Sequence, residues 1–84
     1  MAYQVTLKPS AQKDLDSLPG KEVLRISNRI QTLCDNPRPI GVQKLTDAEG
    51  YRIRVGNYRV LYEIDDKAKI IFVYRVKHRS EAYS

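Results

Sequence analysis

The chain has only one cysteine and one histidine among its 84 residues. Cys34 therefore cannot form an internal disulfide, and one Cys with one His falls short of a zinc-binding set. Placed in an apolar helical register, Cys34 reads as a buried structural thiol. Long apolar runs are also missing. None approaches the roughly 20 residues of a membrane span, and the N-terminus lacks the charged-then-apolar layout of a signal peptide. The expectation is a cytoplasmic protein with no membrane partner. There is no low-complexity segment, and 42% of the residues are hydrophobic, which is the composition of a folded globule rather than a tail. Such a length makes one domain, residues 1–84, with room for one core.

What the chain does have is positive charge, unevenly spread. Fifteen Lys and Arg face ten Asp and Glu, and residues 1–50 carry seven bases and six acids against eight and four in residues 51–84. A basic second half favours nucleic acid, an anionic membrane surface or an acidic protein segment as partner.

The charge concentrates in Gly50 to Tyr62, Gly-Tyr-Arg-Ile-Arg-Val-Gly-Asn-Tyr-Arg-Val-Leu-Tyr. Tyr51, Ile53 and Val55 alternate with Arg52 and Arg54, and Tyr58, Val60, Tyr62 and Ile64 repeat the period-2 pattern of a half-buried strand. Gly56-Asn57 supplies the turn, since Gly and Asn tolerate the positive φ of two-residue hairpin loops. With a two-residue loop, Val55 faces Tyr58 and Arg54 faces Arg59. Like charges directly opposite destabilise a sheet. The pairing therefore suggests a bound anion, phosphate first.

Elsewhere, residues 2–7 alternate as a first strand that Pro9 ends. Ala11, Leu15 and Leu18 share one face of a short helix over 10–18, and Val23, Ile26, Ile30 and Leu33 mark a stronger helix over 21–34. The Pro19-Gly20 break folds the two into a helical hairpin. Asn36-Pro37-Arg38-Pro39 ends the second helix. Residues 40–49 read as an irregular connection with Val42 and Leu45 tucked inward, Gln43 and Lys44 facing out, and a turn at Asp47–Gly50. Ile70 to Val76 is apolar on both faces and belongs in the middle of the sheet. Which face Arg75 takes depends on the length of the loop before it, because a slip of one residue flips every side chain. The last eight residues, Lys77-His78-Arg79-Ser80-Glu81-Ala82-Tyr83-Ser84, follow directly on that strand.

The order of elements, the arginine hairpin and the His-Arg-Ser-Glu-Ala-Tyr ending together resemble the RelE family of bacterial toxins, within the RelE/ParE superfamily. The resemblance runs from the Tyr3 strand to Tyr83 and is most specific in the second half. It implies an α+β fold in β-α-α-β-β-β order, an antiparallel sheet of about four strands with an N-terminal helical hairpin packed on it. It also implies a toxin of a type II toxin-antitoxin system: a ribosome-dependent endoribonuclease that cuts mRNA in the A site of the 70S ribosome by 2′-hydroxyl attack, with no metal or organic cofactor. The implied partners are the ribosome with its mRNA, a cognate antitoxin, and operator DNA through the antitoxin only.

Such an attack needs a group that removes the hydroxyl proton, cations for the phosphorane-like transition state, and an acid for the departing 5′-oxygen. Guanidinium matches phosphate bidentately and stays charged, so Arg59, Arg52 and Arg54 suit the second task, with Lys44 joining the RNA-binding set. By resemblance, Arg59 matches the family's arginine on the strand after the hairpin. Arg52 and Arg54 stand where the best-studied members carry two lysines, one of them assigned as proton acceptor. Arginine is effectively always protonated, so here the two are phosphate clamps. Lys77 maps to the family's proton donor, usually an arginine, Arg79 to its second basic position, and Tyr83 to the tyrosine that positions mRNA. His78 lies among them and is a candidate for the proton transfer that Arg52 cannot perform, histidine being the side chain that ordinarily titrates near neutrality. Two other readings stay open: a ParE-like toxin acting on DNA gyrase, and a non-catalytic RNA- or ribosome-binding module.

Overall fold

The computed structural model describes residues 2–45 and 50–82. In chain order the elements are β1 Gln4–Leu7, α1 Pro9–Asp16, α2 Gly20–Thr32, β2 Gln43–Lys44, β3 Tyr51–Val55, β4 Tyr58–Asp65, β5 Ile70–His78 and α3 Arg79–Ala82. Pro9 opens α1, where its missing N–H leaves no intrahelical bond unmade. Ala11 and Leu15 of α1, Ile26 and Ile30 of α2, and Leu33 and Cys34 just beyond it are buried. The two helices start and stop within two residues of the boundaries expected from periodicity, the usual uncertainty at helix ends. None of the described helices is long and apolar enough to cross a membrane.

The sheet order is β1-β5-β4-β3-β2. The class is α+β, as expected, with two differences in the sheet. It is mixed rather than antiparallel, because β1 runs parallel to β5, Gln4 to Leu7 lying beside Ile70 to Val73. Apolar alternation carries no direction, and the long connection through both helices leaves room for a parallel crossover. It also has a fifth strand, β2, which pairs Gln43 with Arg52 and Lys44 with Tyr51. Two residues are too few to show a period, which is why this segment read as irregular. As its two apolar faces require, β5 is interior, between β1 and β4. It continues two residues past the expected end, to His78, and α3 then adds a turn of helix that the sequence did not announce. Of the turn expected at Asp47–Gly50, residues 47–49 lie outside the described residues. Gly50 has φ of 116°, and a Cβ there would sit 2.6 Å from the Tyr62 carbonyl oxygen.

The helices cover one face of the sheet. Ile53, Val55, Val60, Tyr62, Ile71, Val73 and Val76 of that face form the core with the helical residues. Tyr62 is fully buried, and its hydroxyl donates to the Pro37 carbonyl at 2.7 Å. Burial pushes its phenol up to about 12. Deleting the hydroxyl would strand a buried carbonyl at a cost of about 1–3 kcal/mol. The end of the sheet away from the Gly56-Asn57 turn is closed by a polar network. Arg38 donates to both oxygens of Asp66 at 2.9 and 3.3 Å and to the Tyr51 hydroxyl at 3.1 Å, and the Tyr3 hydroxyl donates to Asp66 at 2.6 Å.

The Arg38 hydrogen bond, followed by that of Tyr3, holds the Asp66 carboxyl below its ordinary value near 3.8. A group whose folded-state pKa is depressed adds stability above its unfolded pKa and loses it as pH falls through the folded one. Asp66→Asn is therefore expected to melt below the parent at neutral pH, with the two melting curves converging in acid beneath about 3.8. A gap that persists unchanged into strong acid would assign the loss to packing instead. Thermal melts across the acid range check this.

Candidate functional site

The hairpin sets the geometry of the site. Its loop is two residues, so Val55 pairs with Tyr58 and Arg54 with Arg59, as the alternation required. Gly56 has φ of 60° and Asn57 does not share the positive sign, the arrangement of a II′ turn with Gly first. A Cβ at Gly56 would also lie 2.6 Å from Arg25 Nη1, because the α2 side chain lies against the turn. On the other side of β4, Arg59 pairs with Lys77. Arg54, Arg59 and Lys77 thus form one row across three strands, on the face away from the helices.

Two adjoining cavities run along this row. One, of about 310 Å³, is lined by Gly41, Gln43, Arg52, Arg54 and Arg59. The other, of about 370 Å³, is lined by Arg54, Gly56, Arg59, Arg79 and Ser80. Arg54 and Arg59 line both, so together the two form a groove with guanidinium groups at its centre and at both ends. Arg59 is only 4% exposed, a buried side chain on the floor, whereas Arg54 stands out into solvent. Arg52 Nε donates to Gln43 Oε1 at 2.8 Å, which fixes the guanidinium in the groove mouth. Arg79 arrives from α3, whose first backbone N–H donates to the Asn57 carbonyl at 2.7 Å and ties the C-terminal turn to the hairpin.

Of the residues singled out from sequence, the structure brings together Arg52, Arg54, Arg59 and Arg79 as groove lining, while Lys77 joins their row through its pairing with Arg59 and lines neither cavity. Two lie elsewhere. Lys44 pairs with Tyr51 and so shares the register of the helix-covered face; its neighbour Gln43 takes the groove position. His78 pairs with Tyr58, and its ring meets the Tyr58 ring edge-on, centroids 5.4 Å apart, on the face opposite Lys77. The Ser80 N–H donates to His78 Nδ1 at 3.3 Å, so the imidazole caps the N-terminus of α3. Tyr83 lies outside the described residues. Sequence reasoning missed Gly41, Gln43 and Ser80 as lining residues. Only the register of β2 could have exposed Gln43, and a two-residue strand gives none. Among the described residues, no group of three His, Cys, Asp or Glu side chains is placed to hold a metal ion.

Fold and groove define a small basic α+β domain with an arginine-lined groove on the free face of its sheet. Residues 5–83 match the family model described as ParE toxin of type II toxin-antitoxin system, parDE. Toxin RelG of Mycobacterium tuberculosis is 31% identical over 85 residues, covering 99% of this chain and 98% of that one. Toxin RelE of the same organism is 32% identical over 83 residues, with 96% and 86% covered. Among solved structures, the toxin-antitoxin complex RelBE2 from M. tuberculosis holds a chain that superposes with a TM-score of 0.83 at 29% identity, covering 94% of this chain and all of that one. The archaeal RelE-RelB complex from Pyrococcus horikoshii gives 0.79 at 30% identity, with 94% and 97% covered. The chain belongs to the RelE/ParE family of toxins of type II toxin-antitoxin systems.

A groove lined by guanidinium groups should bind phosphate chains by counterion release. Arg54, exposed and distant from the core, is the side chain whose loss separates binding from folding. Arg54→Gln is expected to weaken binding of a single-stranded oligonucleotide, to lower the slope of log affinity against log salt by about 0.7, and to leave the melting temperature near the parent's. An unchanged slope would remove Arg54 from the interface; fluorescence anisotropy over a salt series measures it.

Proposed function

We propose that this toxin is a metal-independent endoribonuclease that cuts mRNA in the A site of the ribosome and so halts translation. The observation that carries this reading is the row Arg54–Arg59–Lys77 lining up on the open face, flanked by Arg52 and Arg79. The arginines space several permanent cations along a surface where a phosphodiester can lie, and the register sets Lys77 opposite Arg59 on the next strand. In the proposed reaction the 2′-hydroxyl attacks the adjacent phosphorus in line, forming the 2′,3′-cyclic phosphate and breaking the bond to the 5′-oxygen. Arg59 and Arg54 hold the non-bridging oxygens as their negative charge grows. Lys77 donates a proton to the departing 5′-oxygen, and the proton released by the attacking 2′-hydroxyl passes to solvent water, since the described lining holds no side-chain base.

The described lining residues include no carboxylate or imidazole. The chemistry therefore leans on charge stabilisation and on alignment of the substrate. Alignment can account for many decades of rate, which supports a role for the ribosome in holding the mRNA in its in-line geometry. Tyr83, which follows α3 in sequence, is proposed to help position the mRNA. His78, turned to the other face, is assigned the capping of α3 and thereby the placement of Arg79. The likeness to toxins solved in RelE-RelB complexes supports a cognate antitoxin that covers this toxin, with operator DNA reached only through it.

A second reading is favoured by one observation, the parDE description of the matching family model: a toxin acting on DNA gyrase. One pair of assays decides. Purified toxin added to programmed ribosomes is expected to give codon-positioned mRNA ends, to cut naked RNA poorly, and to leave gyrase supercoiling untouched, while Arg59→Ala loses about 10²–10³ in cleavage rate. Inhibition of gyrase with intact mRNA would establish the second reading, and silence in both would reduce the groove to a binding surface.

A further inference from the structure

Strand β5 carries one residue more than β4 across their shared ladder. Leu61 pairs with Arg75 and Tyr62 with Val73, so Tyr74 is the extra residue of a β-bulge. The parity of β5 changes there. Val73 and Val76 both point into the core although three positions apart, where strict alternation joins residues an even number apart. The backbone shows the same shift. The Val73 carbonyl faces the β1 edge, accepting from the Lys8 N–H at 2.8 Å. Alternation would next turn Arg75 to that edge, yet it is the Val76 N–H that points there, donating to Asp14 Oδ2 at 2.9 Å.

The edge needs partners because β1 stops at Leu7, opposite Val73. Helix α1 supplies them. Ser10 Oγ donates to the Tyr74 carbonyl at 2.6 Å. Asp14 accepts the Val76 N–H and, on the same oxygen, Arg75 Nε at 2.9 Å, with Arg75 Nη2 3.4 Å from its other oxygen. Tyr74, Arg75 and Val76 are thus each bonded to one of two side chains a helical turn apart. The Asp14 side chain is 20% exposed, so this contact is partly shielded from water.

We propose that Asp14 is a positioning residue for the groove: by holding Arg75 and the Val76 N–H it fixes the bulge that brings Lys77 into line with Arg59 and Arg54. Without the extra residue, Arg59 would face Val76, and Lys77 would fall opposite Tyr58 on the helix-covered side. The apolar pattern disfavours that slip outright, since it would turn Arg75 into the core. Asp14 removes the remaining freedom of the strand around Lys77. The inference rests on the catalytic reading above for its effect on rate, but not for its structural half.

The test joins amide hydrogen exchange to cleavage on programmed ribosomes, using Asp14→Ala and Asp14→Asn. The asparagine keeps an oxygen that accepts the Val76 N–H and loses the ion pair. In Asp14→Ala the Val76 amide is expected to exchange about tenfold faster while Val60 and Ile71 keep their protection, and the Arg59–Lys77 cross-strand contact weakens in nuclear Overhauser spectra. Loss of global stability would instead speed all three amides together. Cleavage by Asp14→Ala is expected to fall about tenfold in kcat with KM for ribosomes unchanged, and Asp14→Asn to recover part of it. If the alanine variant does not fold, Asp14→Leu, which keeps the side-chain volume and removes both acceptor oxygens, carries the same two measurements. Unchanged Val76 exchange, or a kcat within about twofold of an active parent, would overturn the proposal. A parent that cuts nothing defeats the catalytic reading, and with it the rate effect, while the exchange data still decide whether Asp14 holds the bulge.

Discussion

Electrostatic repulsion along one row of a sheet is the constraint around which this toxin is arranged. Arg54, Arg59 and Lys77 stand opposite one another on neighbouring strands, an arrangement that weakens a sheet when nothing else intervenes. The fold withstands it because the stabilising work is done on the other face. There Ile53, Val60, Tyr62, Ile71, Val73 and Val76 meet the buried residues of both helices in a single core. The division of labour is strict: one face supplies cohesion, and the other is free to concentrate positive charge.

Alternation makes that division possible and also makes it fragile. A period of two means that a strand either presents a residue to the groove or buries it, with no intermediate position. The II′ turn at Gly56-Asn57 fixes the parity between β3 and β4, and the bulge at Tyr74 fixes it between β4 and β5. The ends of the groove depend on smaller devices. Arg52 is held by Gln43 of the two-residue edge strand, and Arg79 is brought in by a turn of helix tied to Asn57 and capped by His78. Each device is local, and each decides the direction of one cation.

Much of this was legible in the sequence, and the misses have physical causes. The hairpin register followed from Gly56-Asn57 and the apolar alternation, and the interior place of Ile70–Val76 from its two apolar faces. The parallel pairing of β1 was not legible, because alternation says nothing of direction. Nor was the pairing of Gln43 with Arg52, since two polar residues show no period. His78 and Lys77 are adjacent, so only one of them can share the open face with Arg59. The sequence could not choose between them because the choice lies in a bulge whose partners, Ser10 and Asp14, stand more than sixty residues earlier in the chain.

In the proposed function the open face, through Arg54, Arg59 and Lys77, holds the phosphate chain. The most direct measurement is an NMR titration of the toxin with an oligonucleotide made uncleavable by 2′-deoxy substitution, following the side-chain signals of these three residues and of Lys44. Saturable shifts of Arg54, Arg59 and Lys77 with a common affinity, and none at Lys44, are expected. Shifts gathered on the helix-covered face, with the groove cations unmoved, would contradict it.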